Sequence, residues 1–436
     1  MKNISFLKRN IFKFLQLSIL GATLFILSSL LVPQSQSQTQ PAPARSASSF
    51  INSIGVAVHI NYIDTAYGKY NEIVKPRLQE LGIRHIRDGV SPSDMDTQQK
   101  FNDLATLGIK STLVMDPRGL VPSDAVNIAK NVAPSIEAIE GPNEWDVQPD
   151  LRYKNQTFPE GVRLFQSELY QLIKDDPATA NLDVLSPSMA YPENAAQLTN
   201  IACDFGNMHS YAGGGLPSDQ LETRWIPNTQ KMCGNKPIIA TECGWHNALK
   251  DNGAPQSPIS EEAAAKYVSR LYLEYFNRGI KRAFLYELID PRQSDNQDSN
   301  FGLLRYDGSP KPAFNALKNL LSILNDSKED FPLESLDYTL TGDTNNVHQT
   351  ILQKSNGRFY LILWQEVPSF NTKQKIDIAV EQQKTTLTLN TPIREVYAYL
   401  PIKSTNLVWQ TKNTSILPLN IPDEPLILEL IPGQNS

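Results

Sequence analysis

Between Ile51 and Asn325 short apolar runs alternate with amphipathic stretches of helical period. That alternation is the pattern of βα units around a parallel sheet. Eight runs read as strands: Gly55–Ile60, Ile83–Arg87, Ser111–Met115, Ile136–Glu140, Val184–Ser188, Phe205–His209, Pro237–Glu242 and Ala283–Leu288. Eight such units favour closure into an α/β (β/α)8 TIM barrel. The helix after the seventh strand is the clearest. Ser260 is a good N-cap, and Glu261 and Glu262 occupy the first turn, where the helix dipole favours anions. Val268, Leu271, Tyr272, Tyr275 and Phe276 then recur at helical spacing, and Gly279 closes the helix. A last helix from Pro312 to about Leu324, with Phe314, Leu317 and Leu321 on one side, would complete the ring. Past Asn325 the helical spacing ends. Phe359–Trp364, Thr385–Leu389, Glu395–Tyr399 and Leu426–Leu430 read as antiparallel strands of a small C-terminal β-sandwich.

This grammar divides the chain into an N-terminal segment 1–40, a linker 41–50, a catalytic barrel 51–327 and a β-sandwich accessory domain 328–436. In the first segment Lys2, Lys8, Arg9 and Lys13 precede the charge-free stretch Phe14–Val32 and a polar run beginning at Pro33. That is the pattern of a signal peptide, with a signal anchor as the alternative. It predicts a secreted, periplasmic or otherwise extracytoplasmic protein, attached to a membrane only through this segment if at all. The junction Phe331-Pro332-Leu333 suits packing between barrel and sandwich better than a flexible tether.

Composition narrows the partners. Charged residues make up 20% of the 436, the net charge is −6, and no basic run follows the N-terminus, which argues against nucleic acid. An uncharged oligo- or polysaccharide fits better, with the chain as a monomer. With five histidines, one each at strands one and six, a clustered-histidine metal site is not expected, nor is a cofactor. Of the three cysteines, Cys203 and Cys233 precede strands six and seven and should pair at the bottom of the barrel, leaving Cys243 free on the pocket side.

The candidate chemistry lies where strands end, because barrel active sites form at the C-terminal ends of the strands. Strand four breaks at Glu140-Gly141-Pro142 and presents Asn143, Glu144 and Trp145, and strand seven ends in Glu242-Cys243-Gly244-Trp245. Two strand-end glutamates suggest a pair in which one protonates a glycosidic oxygen and the other attacks the anomeric carbon. The same rim collects His59 and Asn61 after strand one, Arg87 and Asp88 after two, Asp116 after three, His209 and Tyr211 after six, and Tyr286, Glu287 and Asp290 at eight. Alternation along strand eight places Glu287 toward the helices if Tyr286 faces the pocket.

The Asn143-Glu144 and Glu242 segments resemble the retaining glycoside hydrolases of clan A. His85-Ile86-Arg87-Asp88-Gly89 resembles the clan's arginine segment, His209-Ser210-Tyr211 its strand-six segment, and Phe301–Leu304 through Ser309–Phe314 its closing passage, so the resemblance covers roughly residues 51–325. It implies Glu144 as acid/base, Glu242 as nucleophile, Asn143 on the sugar 2-hydroxyl, and Arg87 and Tyr211 as positioners of the nucleophile. Strand eight departs from the clan, reading Leu285-Tyr286-Glu287-Leu288 where many members carry a tryptophan.

The residue chemistry agrees. Trp145 beside Glu144 would disfavour the carboxylate and keep the acid protonated, while Arg87 near Glu242 would favour the ionised nucleophile. Trp145, Tyr211, Trp245 and Tyr286 offer flat faces to sugar rings. Arg87 has the alternative of pairing with Asp88, and His59 and His209 that of packing in the rim. A glycan-binding pseudo-enzyme on the same barrel is the rival function.

Overall fold

The computed structural model describes residues 41–433; the N-terminal segment 1–40 lies outside the described residues. Its centre is an eight-stranded parallel sheet. The strands are β1 (Ile54–Ala57), β2 (His85–Gly89), β3 (Lys110–Val114), β4 (Ile136–Glu140), β5 (Asp183–Leu185), β6 (Gly206–His209), β7 (Ile238–Cys243) and β8 (Arg282–Leu285). Neighbours pair in chain order, and β8 returns to β1. Between β5 and β6 the ring closes through a single parallel bridge, Leu185 to Phe205, flanked by Asp204 N–H to the Val184 carbonyl at 2.7 Å. All eight strands expected from the sequence are therefore present.

Every residue of β7 is buried, as expected for a parallel strand with packing on both faces. Inside the barrel Ala138, Leu185, Ile239 and Phe284 form a closed apolar plug. Gly55 is required there, because a Cβ would collide with the Phe284 ring. Outside, the helices include α1 (Lys75–Leu81), α2 (Met95–Ala105), α3 (Pro122–Asn131), α4 (Glu160–Asp175), α5 (Ile226–Cys233), α6 (Glu261–Asn277) and α7 (Pro312–Leu324). The Ser260 hydroxyl caps α6 by accepting from Ala263 N–H at 3.0 Å, and Gly279 follows at φ 74°. The fifth unit carries only a 3-10 turn, Pro192–Leu198, between β5 and β6.

Two further sheets form the C-terminal sandwich. One contains β9 (Tyr338–Gly342), β12 (Gln383–Leu389) and β15 (Ile416–Ile421); the other orders β14 (Leu407–Lys412), β13 (Ile393–Tyr399), β16 (Leu426–Pro432), β11 (Phe359–Gln365) and β10 (Val347–Gln353). Leu361, Leu363, Val396 and Leu428 face Leu387 and Leu419 in the sandwich core, while Ile362, Trp364 and Ile427 pack on the barrel. Strand β11 is consequently buried along its whole length. Polar groups seal the junction. Arg270 on α6, fully buried, donates to Glu366 at 2.7 Å, Lys266 pairs with Asp423 at 2.8 Å, and Glu274 accepts from Trp364 Nε1 at 3.0 Å.

Residues 41–50 are not a free linker. Ala42–Pro43 pairs with Ser335–Leu336, Arg45–Ser46 adds to β10, and a helix begins at Ala47. Segments of two residues have no readable period, and their partners lie far along the chain. Cys203 and Cys233 are disulfide-bonded, as expected. Cys243 is free but not pocket-side: it is buried, and its thiol meets the Phe284 carbonyl at 3.3 Å.

Candidate active site

The break after β4 delivers the first carboxylate. A Cβ at Gly141 would collide with the Gln166 amide oxygen and sit 3.0 Å from Pro187 N, so only glycine lets the chain turn against the β5 segment. Three residues on, Glu144 has φ 44° and ψ 44°, a left-handed conformation uncommon for a non-glycine residue, and its N–H is held by the Ser188 carbonyl at 3.2 Å. The second carboxylate, Glu242, is the fifth residue of β7. A carboxylate oxygen of Glu144, one of Glu242 and a ring nitrogen of His209 all lie within 4.8 Å of one another.

Each glutamate has its own partners. Glu242 receives Arg87 Nη1 at 2.5 Å on one oxygen and the Tyr211 hydroxyl at 2.7 Å on the other. Glu144 meets His209 Nδ1 at 2.7 Å. Arg87 Nη2 donates to Asn143 Oδ1 at 2.6 Å, which fixes how the amide is turned, and Asn143 lines the cleft. Arg87 is not paired with Asp88. Asp88 instead accepts the N–H groups of Ile60 and Gly89 at 2.9 and 2.7 Å, tying β1 to β2.

Beneath this pair lies a group the sequence reading passed over. Glu140, fully buried, takes Arg87 Nε and Nη2 at 2.9 Å each, and also accepts from Asn207 and Thr241 at 3.1 Å. The signal was available. Alternation along β4 puts Glu140 on the same inward face as Ala138, one layer above the apolar plug.

Burial pushes the Glu140 carboxyl up, but the Arg87 charge and the hydrogen bonds from His209 and Arg87 outweigh it and hold the group at about 2. Burial pushes the His209 imidazole down; the charge of Glu242 and its contacts with Glu140 and Glu144 overcome that and raise it to about 10. For Glu144 burial acts upward, yet the His209 hydrogen bond and charge, with Arg87, leave the carboxyl below its ordinary range. In the resting site, then, the proton sits on His209, not on Glu144. This reverses the expectation that Trp145 keeps Glu144 protonated, for the imidazolium outweighs any apolar wall. Arg87 and Tyr211 already occupy the two oxygens of Glu242, which disfavours a metal ion at Glu144, His209 and Glu242.

The open cleft above has a volume of about 470 Å³ and is lined by Glu144, Glu242, Asn143, Arg87, His59 and Tyr286, joined by Asn61, Tyr62, Asp116 and Arg118. His59, pushed down to about 4 chiefly by burial and then by the Arg87 charge, is neutral; its Nε2 lies 3.2 Å from the Tyr286 hydroxyl. Three expected sugar platforms are absent from this lining, Tyr211 being set on Glu242 instead. Trp145 is fully buried against Phe165, with its indole N–H on the Leu151 carbonyl at 3.1 Å. Trp245 is 5% exposed and donates to the Gly215 carbonyl at 3.0 Å. Each follows its glutamate in sequence, but the chain turns outward there and carries the indole away from the cleft. Glu287 does not face the helices. It lies beyond the end of β8, where alternation no longer applies, and accepts from Tyr67 at 2.9 Å with His59 Nε2 at 3.4 Å. Burial, with the charges of Asp290 and Glu242, pushes its carboxyl well up against the Tyr67 hydrogen bond.

No family model matches the chain, and no curated protein matches it in sequence. Solved structures do match in fold. A family 39 glycoside hydrolase from the gut symbiont Bacteroides cellulosilyticus WH2 superposes with TM-score 0.60 at 14% identity, over 89% of this chain and 83% of its own. A glucosidase from Croceicoccus marinus gives 0.60 at 12% identity, over 91% and 98% of the two chains. A GH30 endoxylanase from Clostridium papyrosolvens C71 gives 0.54 at 11%, again over 91% and 98%. Each match covers at least 89% of this chain, so the likeness takes in both barrel and sandwich.

Proposed function

We propose that this chain is a retaining glycoside hydrolase that cleaves O-glycosidic bonds by double displacement, with Glu144 as acid/base and Glu242 as nucleophile. The observation that carries the reading is the pair itself: carboxylate oxygens within 4.8 Å, in an open cleft, with different partners on each. Retaining enzymes hold their carboxyl groups about 5–5.5 Å apart, whereas inverting ones leave room for a water at about 6.5–9.5 Å. The fold shared with solved glycoside hydrolases supports the same class.

In the first step Glu242 attacks the anomeric carbon as the bond to the leaving oxygen breaks. That oxygen takes a proton through Glu144, to which His209 Nδ1 passes its own across their 2.7 Å hydrogen bond, leaving the imidazole neutral and Glu144 a carboxylate. Arg87 and Tyr211 fix Glu242 by one oxygen each, so that its approach is set before the substrate arrives. The Asn143 amide nitrogen is oriented to donate to the sugar 2-hydroxyl. In the second step Glu144, still a carboxylate, takes a proton from water and returns it to His209, while the water oxygen displaces Glu242 from the anomeric carbon. The substrate is an oligo- or polysaccharide, met outside the cytoplasm if the N-terminal pattern acts as an export signal.

Hydrolysis of a panel of chromogenic aryl glycosides tests the reading. Activity on at least one member, abolished by Glu242→Ala, is expected. A purified, folded protein that turns over none of them while still binding glycans would favour the pseudo-enzyme instead.

A further inference from the structure

Tyr211, which holds one oxygen of Glu242, is followed after one residue by three consecutive glycines, Gly213, Gly214 and Gly215. Gly213 and Gly214 have φ 58° and 87°. A run of glycines carries little conformational preference of its own, so the course of this loop must be imposed from outside.

The outside contacts come from the sandwich. Ser218 N–H and hydroxyl both donate to one oxygen of Glu366, at 3.1 and 2.8 Å. Glu366 is buried, and its other oxygen receives Arg270 Nε at 2.7 Å and Trp364 Nε1 at 3.2 Å. Beside it a short hairpin formed by Phe370–Asn371 and Ile376–Asp377 reaches the loop at Gly214, where a Cβ would sit 2.8 Å from the Thr372 methyl and 2.9 Å from Ser257 on the barrel side. On its barrel side the loop is gripped by Trp245, whose indole holds the Gly215 carbonyl. Trp245 packs edge-on against Tyr267 at 5.4 Å, and the Tyr267 hydroxyl accepts Ser369 N–H at 3.0 Å. Both grips end in the sandwich.

We propose that the sandwich is part of the catalytic apparatus: through Glu366 and the 370–377 hairpin it clamps the Gly213–Gly215 loop, and the clamped loop positions Tyr211 on Glu242. Glu366 and Thr372 are then positioning residues, acting through Tyr211 and touching no substrate. The catalytic half of this rests on the glycosidase reading; the clamp itself does not.

The experiment uses the full chain and the paired variant Ser218→Ala/Thr372→Gly, at half-buried positions where neither change unpairs a buried charge. Hydrogen–deuterium exchange is measured on the peptide 212–219, and kinetics on the best aryl glycoside. Exchange in 212–219 should rise while the barrel strands stay protected. kcat should fall about fivefold, the worth of a hydrogen bond or so, with KM nearly unchanged. In a Tyr211→Phe background, where the hydroxyl is already gone, the paired variant should cost almost nothing more. An equal loss in both backgrounds, or unchanged exchange in 212–219, overturns the proposal. If the unmodified protein turns over no glycoside, the glycosidase reading fails, and the exchange measurement still decides the clamp.

Discussion

Arg87 and Glu140 form a two-point pair, Nε to one oxygen and Nη2 to the other at 2.9 Å each, with side chains 5% and 0% exposed. The fork leaves Nη1 as the nitrogen that meets Glu242. Glu140 thus aims the cation at Glu242 without reaching the cleft. Breaking one member of a buried pair strands the other charge, at a cost of about 3–5 kcal/mol. Glu140→Gln should therefore lower the urea midpoint markedly and reduce kcat. Arg87→Lys should keep stability better but lose the two-point aim. A Glu140→Gln protein with the parent's midpoint and kcat would show that the aim is set elsewhere.

The pH profile follows from where the proton rests. The competent site holds one proton on the His209–Glu144 pair, and His209 is raised to about 10. A raised group keeps its proton below that value and loses it as pH rises through it. The falling limb of kcat/KM should therefore lie on the alkaline side, with activity maintained through neutral pH. His209→Gln leaves Glu144 to hold the proton alone, so the falling limb should move toward acid. If the parent enzyme already loses kcat/KM between pH 5 and 7, the proton is not stored on His209.

Much of this was legible because barrels obey simple periodicities. The apolar run Ile136–Glu140 and the helix Pro312–Leu324 stand in the structure where the pattern puts them. Glu144, Glu242, Arg87 and Tyr211 converge because all four close a strand at one end of the barrel. Trp145 and Trp245 misled because adjacency in sequence says nothing about direction once a strand has turned into a loop. Glu140 was overlooked because a carboxylate inside an apolar run reveals its partner, Arg87, only when β2 and β4 lie in one ring. The protonation of His209 was beyond reach for the same reason, being a sum over Glu140, Glu144 and Glu242, which β4 and β7 bring to β6.

The barrel should not survive alone. Arg270 and Glu274 on α6 are fully buried, and their partners Glu366 and Trp364 belong to the sandwich. Truncation at Asp326 would also expose the apolar barrel surface that Ile362, Trp364 and Ile427 cover, with a loss exceeding about 3 kcal/mol. Soluble expression and thermal unfolding of residues 41–326 measure this. A truncated barrel as heat-stable as the parent would contradict the packing described.

Cys243 adjoins the proposed nucleophile, yet burial and then the Glu242 charge push its thiol well up, and it points away from the cleft. Native protein treated with iodoacetamide should stay unmodified there, while denatured, unreduced protein should take up one label at Cys243. Rapid alkylation in the native state, read by mass spectrometry, would place the thiol in the pocket after all.

The two glutamates should fail differently, and this separates their roles. With Glu144→Ala, substrates whose leaving group departs without protonation should keep much of their first step, while those with poor leaving groups should lose nearly all activity. Glu242→Ala has no such escape, because no glycosyl-enzyme can form. A small anion such as azide should behave oppositely in the two variants. In Glu144→Ala it attacks the glycosyl-enzyme and gives a product of retained configuration. In Glu242→Ala it fills the space the carboxylate left, between Arg87 and Tyr211, and gives a product of inverted configuration. The unmodified enzyme should retain configuration. Inversion by the parent protein, seen by NMR of the first-formed sugar, would mean that a water works between the carboxylates and that Glu242 is a base rather than a nucleophile.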